Sequence, residues 1–466
     1  VNYKEYFKEK KIAVIGIGEN ASASRDVEFL AKNGATVTLF EPKDFANKKE
    51  VVDYFKFDIV NDEAAETFPK KKDWRRNVTL NFNKIDKARV LEHDLIIIDV
   101  SFERSHPILI EAEKKGIEIY LRETLFLKLA PPVLLIGITG TSGKTSVAYI
   151  INEIAKRHFK GVEPSFYFID SFKGDGAISL LGKIKRDDCV LLEMSEEILD
   201  EMRKLKQSPH IGIITNIAKN YIGVKGSFEK YLDSIFTIFE HQTYNNFLVA
   251  NDDVIDFIKA SYGGTIKSKI LRTGTTILPS EWEISSLSYH TKENIALAIR
   301  VAEILQIPIE TVYEGVKSFK GLRGRLEYVK KINGVEYYND GASKNIHSTL
   351  KSVSAIALNK NIILIIGGGR IHAEDQEFID FIGNVSQYIH TLVLIPGTGT
   401  ASFHRYILSN DTFRSVYAHS VYDAVLIAKD HAGKGDIVLF SPGFSHEGFH
   451  SEKERIDHFI WIIKGL

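Results

Sequence analysis

The run Gly137-Ile138-Thr139-Gly140-Thr141-Ser142-Gly143-Lys144-Thr145-Ser146 holds the residue types that grip a phosphate. Glycines let main-chain N–H groups face an anion, and a helix starting here adds the favourable end of its dipole. Lys144 has the reach to meet the outer phosphates of a nucleotide, and the Thr145 hydroxyl is a ligand for Mg²⁺. The general phosphate-binding pattern wants glycine where Ile138 stands, so the narrower Thr-Gly-Thr-x-Gly-Lys-Thr remains. The plain alternative is an ordinary glycine-rich strand-to-helix turn. The Gly-Lys-Thr triplet and its flanks speak against that.

Other candidates carry less information alone. Glu193 closes the apolar run Val190-Leu191-Leu192, where a carboxylate beside such a turn holds Mg²⁺ directly or through water. Otherwise it is a surface acid beside Glu196 and Glu197. Thr215-Asn216 follows Ile211–Ile214 at the end of a strand, where ligands meet sheets, or forms a turn. His290 and Asn294, four apart, share one helix face. Asp340, after Asn339, is a candidate for a ribose or makes an Asx-turn. Arg323 and Arg325 are candidate nucleotide contacts or solvated hinge charges. Gly367-Gly368-Gly369-Arg370 resembles an anion-binding nest, and Ser441-Pro442-Gly443 lines a cleft or a turn.

The elements that must position these residues alternate strand and helix. Val133–Ile136 reads as a buried strand before the phosphate turn, and Val147–Ala155 as the helix after it. Upstream, Lys11–Ile15 runs into Gly16 and Gly18, a helix covers Ser24–Lys32, and a second strand, Thr36–Phe40, ends at Glu41. Gly16, Gly18 and Ala21 give Gly-x-Gly-x-x-Ala with an acid past strand two, which supports a Rossmann-like sheet better than it supports a dinucleotide. Further strands are expected at 94–100, 189–192, 211–214, 247–250, 335–338, 362–366, 391–395 and 436–440, with a long helix over 291–305. Pro131-Pro132 marks a linker, and Gly321–Arg325 a joint. The expectation is an α/β protein of three domains: a Rossmann-like domain over 1–130, a nucleotide-binding domain over 131–320, and a Rossmann-like C-terminal domain over 321–466.

Composition narrows the classes. The 466 residues suit about three domains. With 60 basic and 61 acidic residues, nothing in the charge points to nucleic acid or an anionic membrane surface. Cys189 is the single cysteine, which excludes an intrachain disulfide and a Cys-rich metal site. No apolar run approaches the roughly 18 residues of a membrane helix, and the first residues lack a signal-peptide core. A soluble cytoplasmic protein is expected, its oligomeric state open.

The order of these motifs resembles the Mur ligase family over nearly the whole length, most of all its D-glutamate-adding branch. Thr139–Thr145 matches the family's phosphate turn. Glu123-Thr124-Leu125-Phe126, Thr215-Asn216-Ile217, Gly226–Tyr231, Asn251-Asp252-Asp253, His290–Asn294, Gly321–Arg325, Asn339-Asp340 and Ser441-Pro442-Gly443 follow in order. The resemblance implies a carrier-binding domain, an ATPase domain and a mobile C-terminal domain. It implies that ATP phosphorylates a carboxylate of the carrier, and that an amino acid's amine attacks the acyl phosphate. It gives the phosphate turn from Thr139 to Ser146, with Asn294, Arg325 and Asp340, to ATP; Lys144 and Glu193 to catalysis; and Thr145 and Glu193 to Mg²⁺. Gly16, Gly18, Glu41, Asn216, Ser441, Ser445 and His446 are then expected at the substrates, which are small molecules.

Several positions depart from the family pattern. Where the family has Asp-His after Thr-Asn-Ile, this chain has Asn220 and Tyr221, and a phenol is a poor Mg²⁺ ligand. The family's carbamoylated lysine aligns with Ile235. Ser-Pro-Gly becomes Ser101-Phe102-Glu103, and Glu103 repels a diphosphate that it faces. The C-terminal lysine is displaced to Lys344, and Arg370 and His372 stand near where another is expected. The ATP half is therefore kept better than the substrate halves. Three readings remain: a divergent ligase adding D-glutamate to UDP-N-acetylmuramoyl-L-alanine, a related ligase with another carrier or amino acid such as a pseudomurein-type enzyme, and a catalytically silent nucleotide-binding homologue.

Overall fold

The computed structural model describes the chain except residues 1, 19–21, 42–57, 61–62, 66–73, 83–84, 171–175, 219–226, 275–281, 283–288, 320, 358–360, 371–372, 374, 408–411 and 450. Three sheets organise it. The first comprises β1 (Lys11–Ile15), β2 (Thr36–Glu41), β5 (Val78–Phe82), β6 (Leu95–Ile98) and β7 (Glu118–Leu121) in the order β5-β2-β1-β6-β7. All its pairings are parallel. Between β2 and β5 lies a small antiparallel pair, β3 (Asp58–Val60) and β4 (Glu63–Ala65).

The second sheet has the order β13-β12-β11-β8-β10-β9, again all parallel. Its strands are β8 (Leu134–Thr139), β9 (Phe166–Ile169), β10 (Cys189–Glu193), β11 (Ile211–Ile214), β12 (Phe247–Asn251) and β13 (Lys269–Thr273). Strand β8 is central because it is apolar on both faces, as parallel strands covered by helices must be. After β8 the chain builds β9 and β10 on one side, then crosses to β11 on the other. The carboxyl ends of β8, β10 and β11 thus converge where the winding reverses, the usual place for a ligand in such a sheet.

The third sheet has β14 (Glu327–Ile332), β15 (Val335–Asn339), β16 (Ile362–Gly367), β17 (Ile389–Ile395), β18 (Arg414–Tyr417) and β19 (Ile437–Phe440), ordered β14-β15-β19-β16-β17-β18. It is parallel except for the β14–β15 hairpin. The expected doubly wound sheet therefore carries an antiparallel edge. Tight turning at Asn333 and Gly334, both at positive φ, folds β14 back on β15. The α/β class is as the strand–helix alternation predicts.

Helices cover the sheets. The helix Lys144–His158 turns Val147, Ile150, Ile151 and Ile154 to the core at i, i+3, i+4 and i+7 spacing. Each such side chain contributes about 1.5–3 kcal/mol when fully buried. In the third sheet Leu364, Leu392, Leu439, Phe381 and Phe403 form the core of one face, and Ile363, Ile365, Val438, Phe440 and Phe459 that of the other. By packing, the chain falls into two compact units. One holds Val1–Ile217, Glu229–Thr273 and Leu297–Gly315, and thus the first and second sheets; the bulk of the other is Val316–Leu466. Among the described residues no helix is long and apolar enough to cross a membrane.

Candidate functional site

The phosphate turn leaves the end of β8 and enters the helix at Lys144. Gly140 (φ 128°) and Gly143 (φ 84°) adopt the backbone that side-chain-bearing residues avoid. At Gly140 space also forbids a side chain, since a Cβ would lie 2.3 Å from Thr215 Oγ1 and 2.8 Å from the Asn216 carbonyl. The turn is braced from β11. Thr215 Oγ1 donates to the Ser142 carbonyl at 2.6 Å, and Ser142 N–H donates to Asn216 Oδ1 at 3.1 Å. Asn216 Nδ2 donates back to the Ser142 carbonyl at 3.0 Å. Thr141 N–H donates to the Asn216 carbonyl at 3.1 Å. Asn216, expected to meet substrate, has its amide engaged in shaping the turn.

Lys144 Nζ donates to the Gly140 carbonyl at 2.7 Å, so the ammonium lies over the turn it was expected to serve. Parallel pairing of β8 with β10 sets Glu193 beside Ile138. Thr145 Oγ1 then donates to Glu193 Oε2 at 3.0 Å. The two expected Mg²⁺ ligands thus adjoin each other, although 48 residues separate them in sequence. Both are hard oxygen donors. A hydroxyl and one carboxylate, with phosphates and water completing the shell, suit Mg²⁺, whereas a caged transition metal needs more. Among the described residues no cluster of three or more His, Cys, Asp or Glu could hold a metal alone.

Tyr231 is a contributor the sequence reading did not single out. Its ring is buried in the helix Phe228–Glu240, and its hydroxyl lies 2.9 Å from Thr141 Oγ1. The sign in the sequence was its position one turn before Ile235. Ile235 itself is 1% exposed. An apolar side chain there brings no oxygen to a metal. Tyr221 and Asn220 lie outside the described residues, as do Ala21, Gly226 and His372; the His290 side chain is likewise undescribed.

In the first sheet, Gly16 (φ 87°) and Gly18 (φ 73°) form the turn after β1. Glu41 is buried at the end of β2, and its Oε2 accepts the Ile17 N–H at 3.0 Å. Asp99, just past β6, accepts from Ser101 N–H at 2.9 Å and pairs with Arg122 at 2.6 Å. Arg122 also donates to Ser22 Oγ. A Cβ on Gly18 would lie 2.6 Å from Arg122 Nη2, so guanidinium and glycine need each other's shape. The sequence reading named neither Asp99 nor Arg122 as a site residue. Their pairing is visible only when β6 and β7 lie side by side.

In the other unit, Asp340 follows the end of β15 and is buried. Its Oδ1 accepts the Leu326 N–H and its Oδ2 the Ser441 hydroxyl at 2.7 Å. Burial is the main reason its carboxyl is pushed up to about 6; hydrogen bonds and the nearby Arg325 pull the other way. Arg325 is half-buried, and its N–H closes a turn onto the Leu322 carbonyl. Ser441 is fully buried. Ser441, expected at the substrates, has its hydroxyl bonded to Asp340 inside the fold. The Gly367–Gly369 segment is no open anion nest either. Its N–H groups donate to the Pro442 carbonyl, Thr400 Oγ1 and the Ser445 carbonyl. Ser445 and His446 are half-buried in the following loop, and Asn294 is half-buried in the helix Tyr289–Ile304.

One cavity of about 520 Å³ lies elsewhere, among Arg25, Phe29, Lys32, Tyr167, Ser179 and Lys183. It does not include the phosphate turn. At the turn, Lys144, the Thr145 hydroxyl and the Glu193 carboxylate are brought together.

Comparison with known proteins places this geometry. The family model "Mur ligase middle domain" matches residues 138–311. The chain is 27% identical to a UDP-N-acetylmuramoylalanine--D-glutamate ligase of Clostridium tetani, covering 100% of this chain and 98% of that one. It is 29% identical to the protein of the same name from Geotalea daltonii, over 98% of each. Among solved structures, the UDP-N-acetylmuramate-alanine ligase of Thermotoga maritima superposes with TM-score 0.59 at 14% identity, over 98% of this chain and 100% of that one. A pseudomurein peptide ligase type C from Methanothermus fervidus does so with TM-score 0.55 at 17% identity, again over 98% and 100%. At those identities the structures speak for the fold, and the sequence matches for the family. With phosphate turn, bracing strand and carboxylate all in family order, residues 138–311 carry the Mur ligase middle domain, and the chain as a whole resembles a divergent Mur ligase.

Proposed function

We propose that this protein is an ATP-dependent ligase of cell-wall precursor synthesis, joining an amino acid to the carboxylate of a carrier through an acyl phosphate. Its central observation is the convergence of Lys144, Thr145 and Glu193 on one braced turn. Phosphoryl transfer needs positioning and neutralisation of charge. The N–H groups of the turn and Lys144 hold the phosphates and stabilise the charge that grows on the transferred group. Thr145 and Glu193 would hold Mg²⁺, whose charge would help neutralise the phosphates. Thr215, Asn216 and Tyr231 keep the turn in shape, so little reorganisation accompanies the reaction. Asn294, Arg325 and Asp340 are assigned to the adenosine side, and Ser445 and His446 to the amino acid. Ser441 acts indirectly, by holding Asp340. The three-domain division at 130 and 320 gives carrier binding, ATP binding and closure to successive segments, in a cytoplasmic enzyme.

The carrier proposed first is UDP-N-acetylmuramoyl-L-alanine, with D-glutamate as the incoming amino acid, after the names of the full-length relatives. A second reading, the same chemistry on another carrier, draws on the first sheet. There Glu41 and Asp99 accept the main-chain N–H groups of Ile17 and Ser101 that a diphosphate would seek. Phosphate release with ATP, Mg²⁺ and candidate pairs separates the readings. Release that needs both UDP-N-acetylmuramoyl-L-alanine and D-glutamate supports the first. Release with other pairs supports the second. ATP binding without turnover across a wide panel rejects both.

A further inference from the structure

The first and second sheets belong to one unit and meet along a seam. On one side of it is the helix Ala23–Lys32, which begins just after the glycine turn. On the other is the 3₁₀ turn Ile178–Gly182. Asp26 is the polar group at their contact. It is wholly buried, and its Oδ1 accepts the Ser179 N–H at 2.8 Å, 153 residues away in sequence. It also accepts from the Ile178 backbone, so one carboxyl caps the start of the turn across the seam. Gly176 is shaped to admit it: a Cβ there would lie 2.3 Å from Asp26 Oδ1. Asp26 Oδ2 has no hydrogen-bond partner among the described residues.

Burial is what disfavours an anion at Asp26; the Arg122 charge favours one, and Glu123 opposes it less strongly. The helix Arg122–Leu129 brings Arg122 and Glu123, and Arg122 is already paired with Asp99. Glu123 is buried too, and burial raises its carboxyl above the ordinary range. Strand β2 ends in Glu41, the 3₁₀ turn Trp74–Asn77 carries Arg75 and Arg76, and Asp26's own helix carries Arg25 and Glu28. The turn Ile178–Gly182 holds no charged residue. Three buried carboxyls, Asp26, Asp99 and Glu123, thus face one buried guanidinium. A buried carboxylate oxygen without a donor is costly, and a proton on it removes that cost.

We propose that Asp26 is a proton-operated clasp. In its acid form it ties the helix of the glycine turn to the second sheet, and in its carboxylate form it loosens that tie. Burial pushes the Asp26 carboxyl up to about 7, against an ordinary value of 3.8. Closing the seam therefore takes up a proton between these values. The closed form is favoured fully below the ordinary value, and that advantage is lost as pH rises through about 7. Because Arg122 also donates to Ser22 Oγ at the head of the same helix, the clasp lies one helical turn from the expected carrier site.

Hydrogen exchange on the full chain tests this, following intrinsic-rate-corrected protection of amides 178–182 from pH 5 to 7. In the wild type, protection is expected to fall at least about threefold per pH unit, with tenfold as the ceiling for one proton. Asp26→Asn keeps the acceptor and removes the titration, so its protection is expected to stay flat. Gly176→Ala displaces the carboxyl and is expected to lower protection throughout. An Asp26→Asn profile parallel to the wild type, or a Gly176→Ala protein with wild-type protection and slope, overturns the proposal.

Discussion

At the residue scale, function rests on a few side chains whose partners are fixed by the main chain. Under the proposed function Lys144 acts by charge at one point. Lys144→Ala should lower turnover by at least about 10²–10³-fold, the scale of losing a main transition-state stabiliser, and steady-state phosphate release measures it. Tyr231→Phe removes the hydroxyl contact to Thr141 and keeps the buried ring. It should cost about 1 kcal/mol of stability and several-fold in kcat, with KM for ATP shifting less. A larger stability loss with unchanged kcat would make Tyr231 purely structural. Ile235 is the opposite case, a site position filled by packing. Ile235→Lys would bury an ammonium in an apolar place, so the variant should be strongly destabilised in thermal unfolding. The proposed account requires that it bring no gain in turnover.

At the element scale, the parallel sheets do the positioning. The register of β10 against β8 brings Glu193 to Thr145, and the crossover to β11 brings Thr215 and Asn216 under the turn. Much of this was legible. The apolar runs of β11, β12 and β16 announce buried strands within a residue of their observed ends, that of β8 stops three residues short of Thr139, and Gly-Lys-Thr announces the helix that follows β8. The edge strands β5, β9, β13, β14 and β18 were not legible. Apart from β9, a four-residue apolar run (Phe166–Ile169), their residues alternate or carry charges, as Glu327–Ile332 does, and half-exposed edges lack the continuous apolar signature. Spatial partnerships were equally hidden. Asp99 with Arg122, Asp26 with Ser179 and Ser441 with Asp340 join residues 23 to 153 apart, and local pattern carries no trace of them. The burial of Ser441 was hidden for that reason, since a serine after a strand looks the same whether it faces a cleft or the core. Caps, by contrast, are local. Asn251 accepts the Val254 N–H at the start of Asp252–Ser261, and Asn251→Ala should cost about 1 kcal/mol in denaturant unfolding.

At the scale of the whole molecule, buried carboxyls make stability depend on pH in a definite direction. Asp340 is raised by burial from 3.8 to about 6. Its folded form therefore holds a proton that the unfolded chain releases. The stabilisation is complete below the ordinary value and disappears as pH rises through about 6. The unit containing Val316–Leu466 should lose thermal stability between pH 4 and pH 6 relative to Asp340→Asn. Calorimetric scans of the two proteins across that window check the sign. The larger claim is that the chain transfers the end of a nucleotide to an acid and then to an amine. Its most direct test is phosphate release from Mg-ATP by the wild type and Lys144→Ala, with carrier acid and amino acid supplied together and singly. The account predicts release only when both partners are present, and none from the lysine variant. Release by the variant at the wild-type rate, or release indifferent to the two partners, would contradict it.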